Sequence, residues 1–476
     1  MTVLVYGLGR SGKAVCRLLA AQGQAFMVID EHLARAGALQ ADALQASALQ
    51  ADALQDDIAQ DDVAFVADLG GRLVGMLEHL PDIPFACCIA APGVAWQHPD
   101  LVTLRERGTE TIGEVEWVYR TVIAPAKQAG HEVTLIGITG TAGKTSTTYW
   151  THTLLLQAGK RALAGGNTGQ ALAEVVLDAG FVARPSDLAG VTLVTELSSF
   201  QLERCPQLRP DIAVILNLGV DHLDRHGTVH DYHLAKKNLL NNLTAADTFV
   251  YNADDPTLSA WATETPARAW GFSSQLAADY PAHYHQGTIW LEQRPLMDTR
   301  DLQVQGSHQH HNALAVALVA QACGLSRQVV MQGLRAFSGV PGRYAQVAEI
   351  AGVRFVEDSI ATRTLAVKAA LEATPAPIVW LAGGQDKGAE TDSLRTLVRD
   401  KVMLVIGIGE AGGMFAEAFA DVTNVRVCQE SDGEQALAQA CRWGFDALKM
   451  AARAAADLPA DPSQEVLGTV LLAPLA

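Results

Sequence analysis

The stretch LIGITGTAGKTSTT, residues 135–148, constrains the chain most, because an apolar run there opens into a glycine-rich turn carrying Lys144 and Thr145. A turn short of side chains exposes backbone N–H groups that can wrap phosphate oxygens. The lysine neutralises charge, and the hydroxyl can hold a metal ion. Gly140, Thr141, Ala142, Gly143, Lys144, Thr145 and Ser146 are therefore candidates for cradling the phosphates of ATP. The spacing departs from the strict G-x4-G-K-[ST] pattern, since the earlier glycine is Gly137 and residue 138 is isoleucine. A strand before the loop and the helix-compatible TSTTYWTHTLLLQ after it supply the context such a motif needs. A glycine turn that merely joins strand to helix is the competing reading, and the Gly-Lys-Thr triplet weighs against it.

At 476 residues the chain is too long for one core and suggests about three domains. A hydrophobic content of 49% with 41 glycines fits an α/β enzyme. The formal net charge of -17 argues against a nucleic-acid partner, whose phosphates are gripped by excess Lys and Arg. Seven cysteines without a C-x-x-C pair indicate a reducing compartment. No segment reaches the ~18 uninterrupted apolar residues of a membrane span, and no signal-peptide pattern opens the chain. A cytoplasmic protein without membrane insertion is expected, acting as a monomer.

Residues 3–30 alternate an apolar strand, a glycine turn, an amphipathic helix and a second strand ending in Asp30. Gly7, Gly9 and Gly12 stand in the G-x-G-x-x-G register of a Rossmann-type βαβ unit. Alone, this pattern serves NAD, another nucleotide, or only a tight turn. A pentapeptide repeat follows at 38–57; its leucines, five residues apart, advance about 500° each time and cannot hold one helix face. It reads as a surface insertion. We place a first domain at 1–130, a central one at 131–339 with strands at 191–199 and 211–219, and a third at 340–476 after the break at Pro341-Gly342. Alternating strands and helices predict a parallel sheet in each.

Four further features point to the same chemistry. Glu196 ends a strand, where a carboxylate can hold Mg2+ beside a nucleotide. NLGVDHLDRHG sets His222 and two aspartates on a turn after another strand, and parallel sheets gather function at such ends. Lys236 falls on the next helix, and HQHHNALAVAL puts polar residues at the mouth of an apolar one. Taken singly, the glutamate is a helix cap and the histidine a surface residue; their joint presence favours a site.

With the phosphate loop, ELSSFQLE, NLGVDHLDRHG and Lys236, the chain resembles the Mur ligases over its whole length, the repeat being an insertion. ELSSFQLE is similar to the branch that joins D-glutamate to UDP-N-acetylmuramoyl-L-alanine. The resemblance implies an ATP-dependent amide ligase of peptidoglycan precursor synthesis that uses two Mg2+ ions. It implies Lys144 on the ATP phosphates, Thr145 and Glu196 near one Mg2+, and His222 with a carbamylated Lys236 at the second. Asn312 would approach the adenine, Arg343 the γ-phosphate and Asp358 the ribose. Gly7, Gly9, Ser11, Gly12 and Asp30 would hold the UDP part, with Asn167 and His222 toward the muramoyl end. Thr362 and Lys387 match positions on the amino-acid side.

Two departures from the family stand out. Ile360 occupies a position where the family commonly has lysine in D-S-K-A-T. After the last strand the family continues with a serine-containing turn and a phenylalanine-bearing helix that grip D-glutamate, whereas this sequence stops at VLLAPLA, so the third domain is expected to lack that last helical segment. Unpaired anionic groups bind poorly, which leaves open a different acceptor such as L-glutamate, or an inactive nucleotide-binding protein.

Overall fold

The structure, a computed structural model, describes all residues except 32–55, 75, 81–82, 275–279, 305–306, 362–363, 385–390, 456–465 and 475–476. The repeat therefore lies outside the described residues but for its last two positions, which open the helix Asp56–Asp68. The chain divides into two compact units, residues 1–302 with 307–336, and residues 337–476 with 303–306.

The first unit carries two sheets. One is parallel throughout: β1 (Thr2–Tyr6), β2 (Phe26–Ile29), β3 (Arg72–Val74), β4 (Phe85–Ala90) and β5 (Thr111–Ile112), in the order β3-β2-β1-β4-β5. The helix Arg10–Ala21 follows β1, and Gly12 lets it close on the turn, since a Cβ there would meet the Gly7 carbonyl oxygen at 1.9 Å. The other sheet comprises β6 (Val133–Thr139), β7 (Arg161–Gly166), β8 (Val191–Glu196), β9 (Ile212–Ile215), β10 (Thr248–Asn252), β11 (Arg268–Ser273), β12 (Ala282–His285), β13 (Thr288–Leu291) and β14 (Arg294–Asp298). Its order is β14-β13-β12-β11-β10-β9-β6-β8-β7. Ala14 and Leu18 share a buried cluster with Leu172, Val175 and Val176, so the two sheets join through an apolar helix-to-helix contact.

The expectation of a purely parallel central sheet is corrected at one edge, where β12, β13 and β14 run antiparallel. The reason lies in two tight connections: Gln286 and Gly287, then Glu292 and Gln293, all have positive φ. Two consecutive left-handed residues reverse a strand with the twist a hairpin needs. Only one of these four residues is glycine, which hid the hairpins from the sequence.

The second unit has β15 (Ala345–Ile350), β16 (Val353–Glu357), β17 (Ile378–Gly383), β18 (Val402–Ile408), β19 (Asn424–Val427) and β20 (Gly468–Leu472), ordered β15-β16-β20-β17-β18-β19. Here too the expected parallel sheet acquires an antiparallel edge, β15 on β16, closed by Ala351 and Gly352 at positive φ. Ile378, Trp380 and Ala382 face one buried cluster, and Val379 and Leu381 the opposite one. Helices on both faces explain why such a strand is apolar at every position and shows no alternation. No helix among the described residues is long and apolar enough to cross a membrane.

Candidate active site

The strand order β9-β6-β8-β7 places four carboxyl ends side by side, and the residues leaving them are Asn217, the glycine loop, Glu196 and Asn167. A parallel sheet puts such ends at one rim, where function collects. The loop runs from Gly140 to the helix Lys144–Gln157. Gly143 is required twice over: its φ is +83°, and a Cβ would lie 2.5 Å from Asn312 Oδ1. Gly143→Ala is expected to destabilise the fold by about 1–3 kcal/mol and to weaken ATP binding at least tenfold. Thermal denaturation and a nucleotide titration read the two effects.

Lys144 Nζ donates to the carbonyls of Gly140 (2.9 Å) and Thr141 (3.0 Å), curling over its own loop. Asn217 fastens the loop from the side. Its Oδ1 accepts from the amides of Thr141 (3.0 Å) and Ala142 (2.9 Å), and its Nδ2 donates to the Ala142 carbonyl (3.1 Å). Thr141 Oγ1 in turn accepts from the Gly219 amide at 2.8 Å and from the Tyr232 hydroxyl at 3.2 Å. No role for Asn217 is legible in the sequence, although it opens the NLGVDH motif. Its contact with the loop arises only from the adjacency of β6 and β9.

Glu196 is 2% exposed. Its Oε1 accepts from Asn167 Nδ2 and Thr168 Oγ1, both at 2.9 Å, while Oε2 is buried without a hydrogen-bond partner. Thr168 Oγ1 lies 3.4 Å from Thr145 Oγ1, so the predicted pair Thr145 and Glu196 is brought together through a residue not singled out from the sequence. A buried carboxylate oxygen with no donor is costly in an isolated protein, and an all-oxygen, anionic set is what a hard cation takes. These residues fit Mg2+.

Lys236, on the helix Val229–Lys237, is 1% exposed. Its Nζ donates to the Gly140 carbonyl at 2.9 Å and sits 4.5 Å from the centre of the Tyr232 ring. Burial, with the Lys144 charge adding to it and Asp221 opposing, brings its ammonium down to about 7. His222 has φ +53° and packs edge-on to the same tyrosine at 6.2 Å, with Asp221 at 3.4 Å. Tyr232 is thus the common neighbour of the two residues assigned to the second metal. Asn312 is buried, touches the loop at Gly143, and donates to Gln309 Oε1 at 3.1 Å. Ser146 lies in the first turn of the loop's helix.

Beside this rim is a pocket of about 590 Å³, lined by Gly7, Gly9, Ser11 and Asp30 from the first sheet and by Asn167 and Gln201 from the second. Asp30 Oδ2 accepts from the Leu8 amide at 2.7 Å, bracing the glycine turn. Arg10 Nη2 donates to the Asn167 carbonyl at 3.2 Å, closing the wall. Tyr6, Glu31 and His98, unmarked in the sequence, form one end; the Tyr6 hydroxyl donates to Glu31 Oε1 at 2.7 Å.

Arg343 and Asp358 belong to the second unit. Arg343 Nε is buried without a hydrogen-bond partner, and burial lifts the Asp358 carboxyl to about 6 although Arg343 opposes the shift. Ile360 is half exposed, with its amide on the Gly342 carbonyl at 3.1 Å. Thr362 and Lys387 lie outside the described residues.

Residues 138–320 match the Mur ligase middle domain. A UDP-N-acetylmuramoylalanine--D-glutamate ligase of Thermus thermophilus is 38% identical, with 99% of this chain and 92% of the relative covered. The protein of the same name from Deinococcus radiodurans is 36% identical over 99% of this chain and 87% of its own length. Among solved structures, a UDP-N-acetylmuramoyl-L-alanyl-D-glutamate--2,6-diaminopimelate ligase superposes with a TM-score of 0.52 at 18% identity, covering 95% of this chain and 86% of the other. The UDP-N-acetylmuramate-alanine ligase of Thermotoga maritima does so with 0.50 at 15% identity, covering 100% and 96%. At those identities the likeness speaks for the α/β fold alone. The relatives and the middle-domain match, over a phosphate loop set beside a buried glutamate and lysine, establish that the chain belongs to the Mur ligase family.

Proposed function

We propose that the chain is an ATP-dependent ligase that adds D-glutamate to UDP-N-acetylmuramoyl-L-alanine in peptidoglycan precursor synthesis, in the cytoplasm and as a monomer. Three domains, 1–130, 131–339 and 340–476, divide the work among nucleotide-sugar binding, ATP binding and amino-acid binding; the three sheets support that division. The observation that carries the reading is the contact chain Asn167–Glu196–Thr168–Thr145, which runs from the wall of the 590 Å³ pocket to the first turn after the phosphate loop. A substrate bound in the pocket would thus lie beside the phosphate loop.

The chemistry is carboxylate activation. The alanine carboxylate attacks the γ-phosphorus, the bond to ADP breaks, and an acyl phosphate results. The glutamate amine then attacks the acyl carbon, and phosphate leaves with one proton lost from nitrogen. Lys144 and the loop amides of Gly143 to Ser146 would stabilise the charge that grows on phosphoryl oxygens, and the family resemblance gives Arg343 to the γ-phosphate. Thr145 and Glu196 would hold one Mg2+ and His222 with Lys236 a second, and such ions would supply further charge stabilisation. Lys236 is suited to the second role because an amine brought to about 7 is substantially neutral at physiological pH and can add CO2, becoming an anionic oxygen donor.

Phosphate release measured with ATP, UDP-N-acetylmuramoyl-L-alanine and each of several amino acids tests the reading. Turnover is expected with D-glutamate and not with L-glutamate. Equal rates with both, or none with either, would sink it.

A further inference from the structure

We infer that Arg225 is a positioning residue, locking the wall of the nucleotide-sugar pocket to the turn that carries His222; the inference rests on the functional reading above. His222 opens the short helix Leu223–His226, and Arg225 leaves that helix toward the first sheet. Its Nη1 donates to the Gly93 carbonyl at 3.0 Å, and its Nη2 to those of Val94 (3.1 Å) and Pro92 (3.3 Å). The guanidinium lies 4.5 Å from the centre of the Phe200 ring, on which His226 also stacks at 5.1 Å.

A second arginine works on the same loop. Arg204, 1% exposed, donates to the carbonyls of Ala90 (3.2 Å), Ala91 (2.6 Å) and Val94. Burial brings it down only to about 10, so it stays charged at neutral pH. Five consecutive carbonyls, 90 to 94, are thus turned toward two cations. In a trans peptide the next N–H points the opposite way, so the amides of Gly93 and Ala95 are turned away from the arginines. Both residues line the pocket. The arginines therefore hold the carbonyl ends of the peptide dipoles of a loop that lines the pocket, which fixes the shape of that wall. Arg225 alone does so from the His222 turn, which ties pocket shape to the catalytic rim.

The test is steady-state kinetics on Arg225→Ala and Arg225→Lys in the full chain. Losing hydrogen bonds from a charged group is expected to raise KM for UDP-N-acetylmuramoyl-L-alanine about 10–100-fold in Arg225→Ala, with KM for ATP within about twofold of the parent. Lysine should restore part of the loss, and millimolar guanidinium should restore part of it in Arg225→Ala. An unchanged KM for the nucleotide sugar, or equal rises for both substrates without guanidinium rescue, would overturn the inference. If Arg225→Ala does not fold, Phe200→Leu, which loosens the guanidinium stack and keeps its hydrogen bonds, should give a smaller rise confined to the nucleotide sugar; no rise there counts against the role. A parent protein without turnover condemns the functional reading instead.

Discussion

Lys236→Ala is expected to lower turnover about a thousandfold or more while leaving the fold intact, and bicarbonate or acetate should restore part of the rate. The size follows from removing the proposed anionic metal donor at a site where electrostatic stabilisation dominates the barrier. Rescue follows because a small carboxylate can enter the space vacated by the side chain and supply the missing oxygens. An active Lys236→Ala enzyme would refute the metal-bridging assignment; a dead one that no carboxylate rescues would leave the lysine a structural prop through its bond to Gly140. The same residue has a pH signature. Its folded value of about 7 is below the 10.5 of an unperturbed lysine, so between these values the unfolded chain binds the extra proton. Stability must therefore rise with pH through that window, the penalty being fully present below about pH 7. Lys236→Met, measured by denaturant unfolding in CO2-free buffer, should flatten that slope.

Glu196→Gln separates function from stability. Turnover should fall about 10²–10³-fold, since the proposed ligand for the cation beside the phosphates loses its charge. In the absence of Mg2+ and nucleotide, however, the variant should melt higher than the parent, because the native side chain buries a carboxylate oxygen with no donor. Its melting temperature should no longer respond to added Mg2+, as a ligand that binds only the native state stabilises it in proportion to affinity. A variant that melts lower than the parent, with its Mg2+ response unchanged, would remove Glu196 from the metal site.

Much of this site is legible in the sequence. Gly143, Lys144 and Thr145 announce themselves because a phosphate loop is local: one strand end, one turn and one helix start supply it. Glu196 and His222 are visible for a similar reason, as polar residues just past apolar strands. Asn217, Thr168, Tyr232 and Arg225 were not legible, because each acts through a partner 23 to 133 positions away. The antiparallel edge of the central sheet escaped as well, since Glu292 and Gln293 take left-handed backbone without the glycine or asparagine that would signal it.

Short-range pattern suffices for the phosphate loop, the glycine turn of the first βαβ unit, the α/β alternation and the Mur ligase resemblance. Side-by-side packing of strands is what leaves one Glu196 oxygen unpaired, buries Lys236 near Lys144 so that its ammonium is brought down to about 7, and turns the carbonyls of residues 90–94 toward two arginines. Burial and charge proximity depend on which strands lie side by side, and strand order is settled by packing the whole chain.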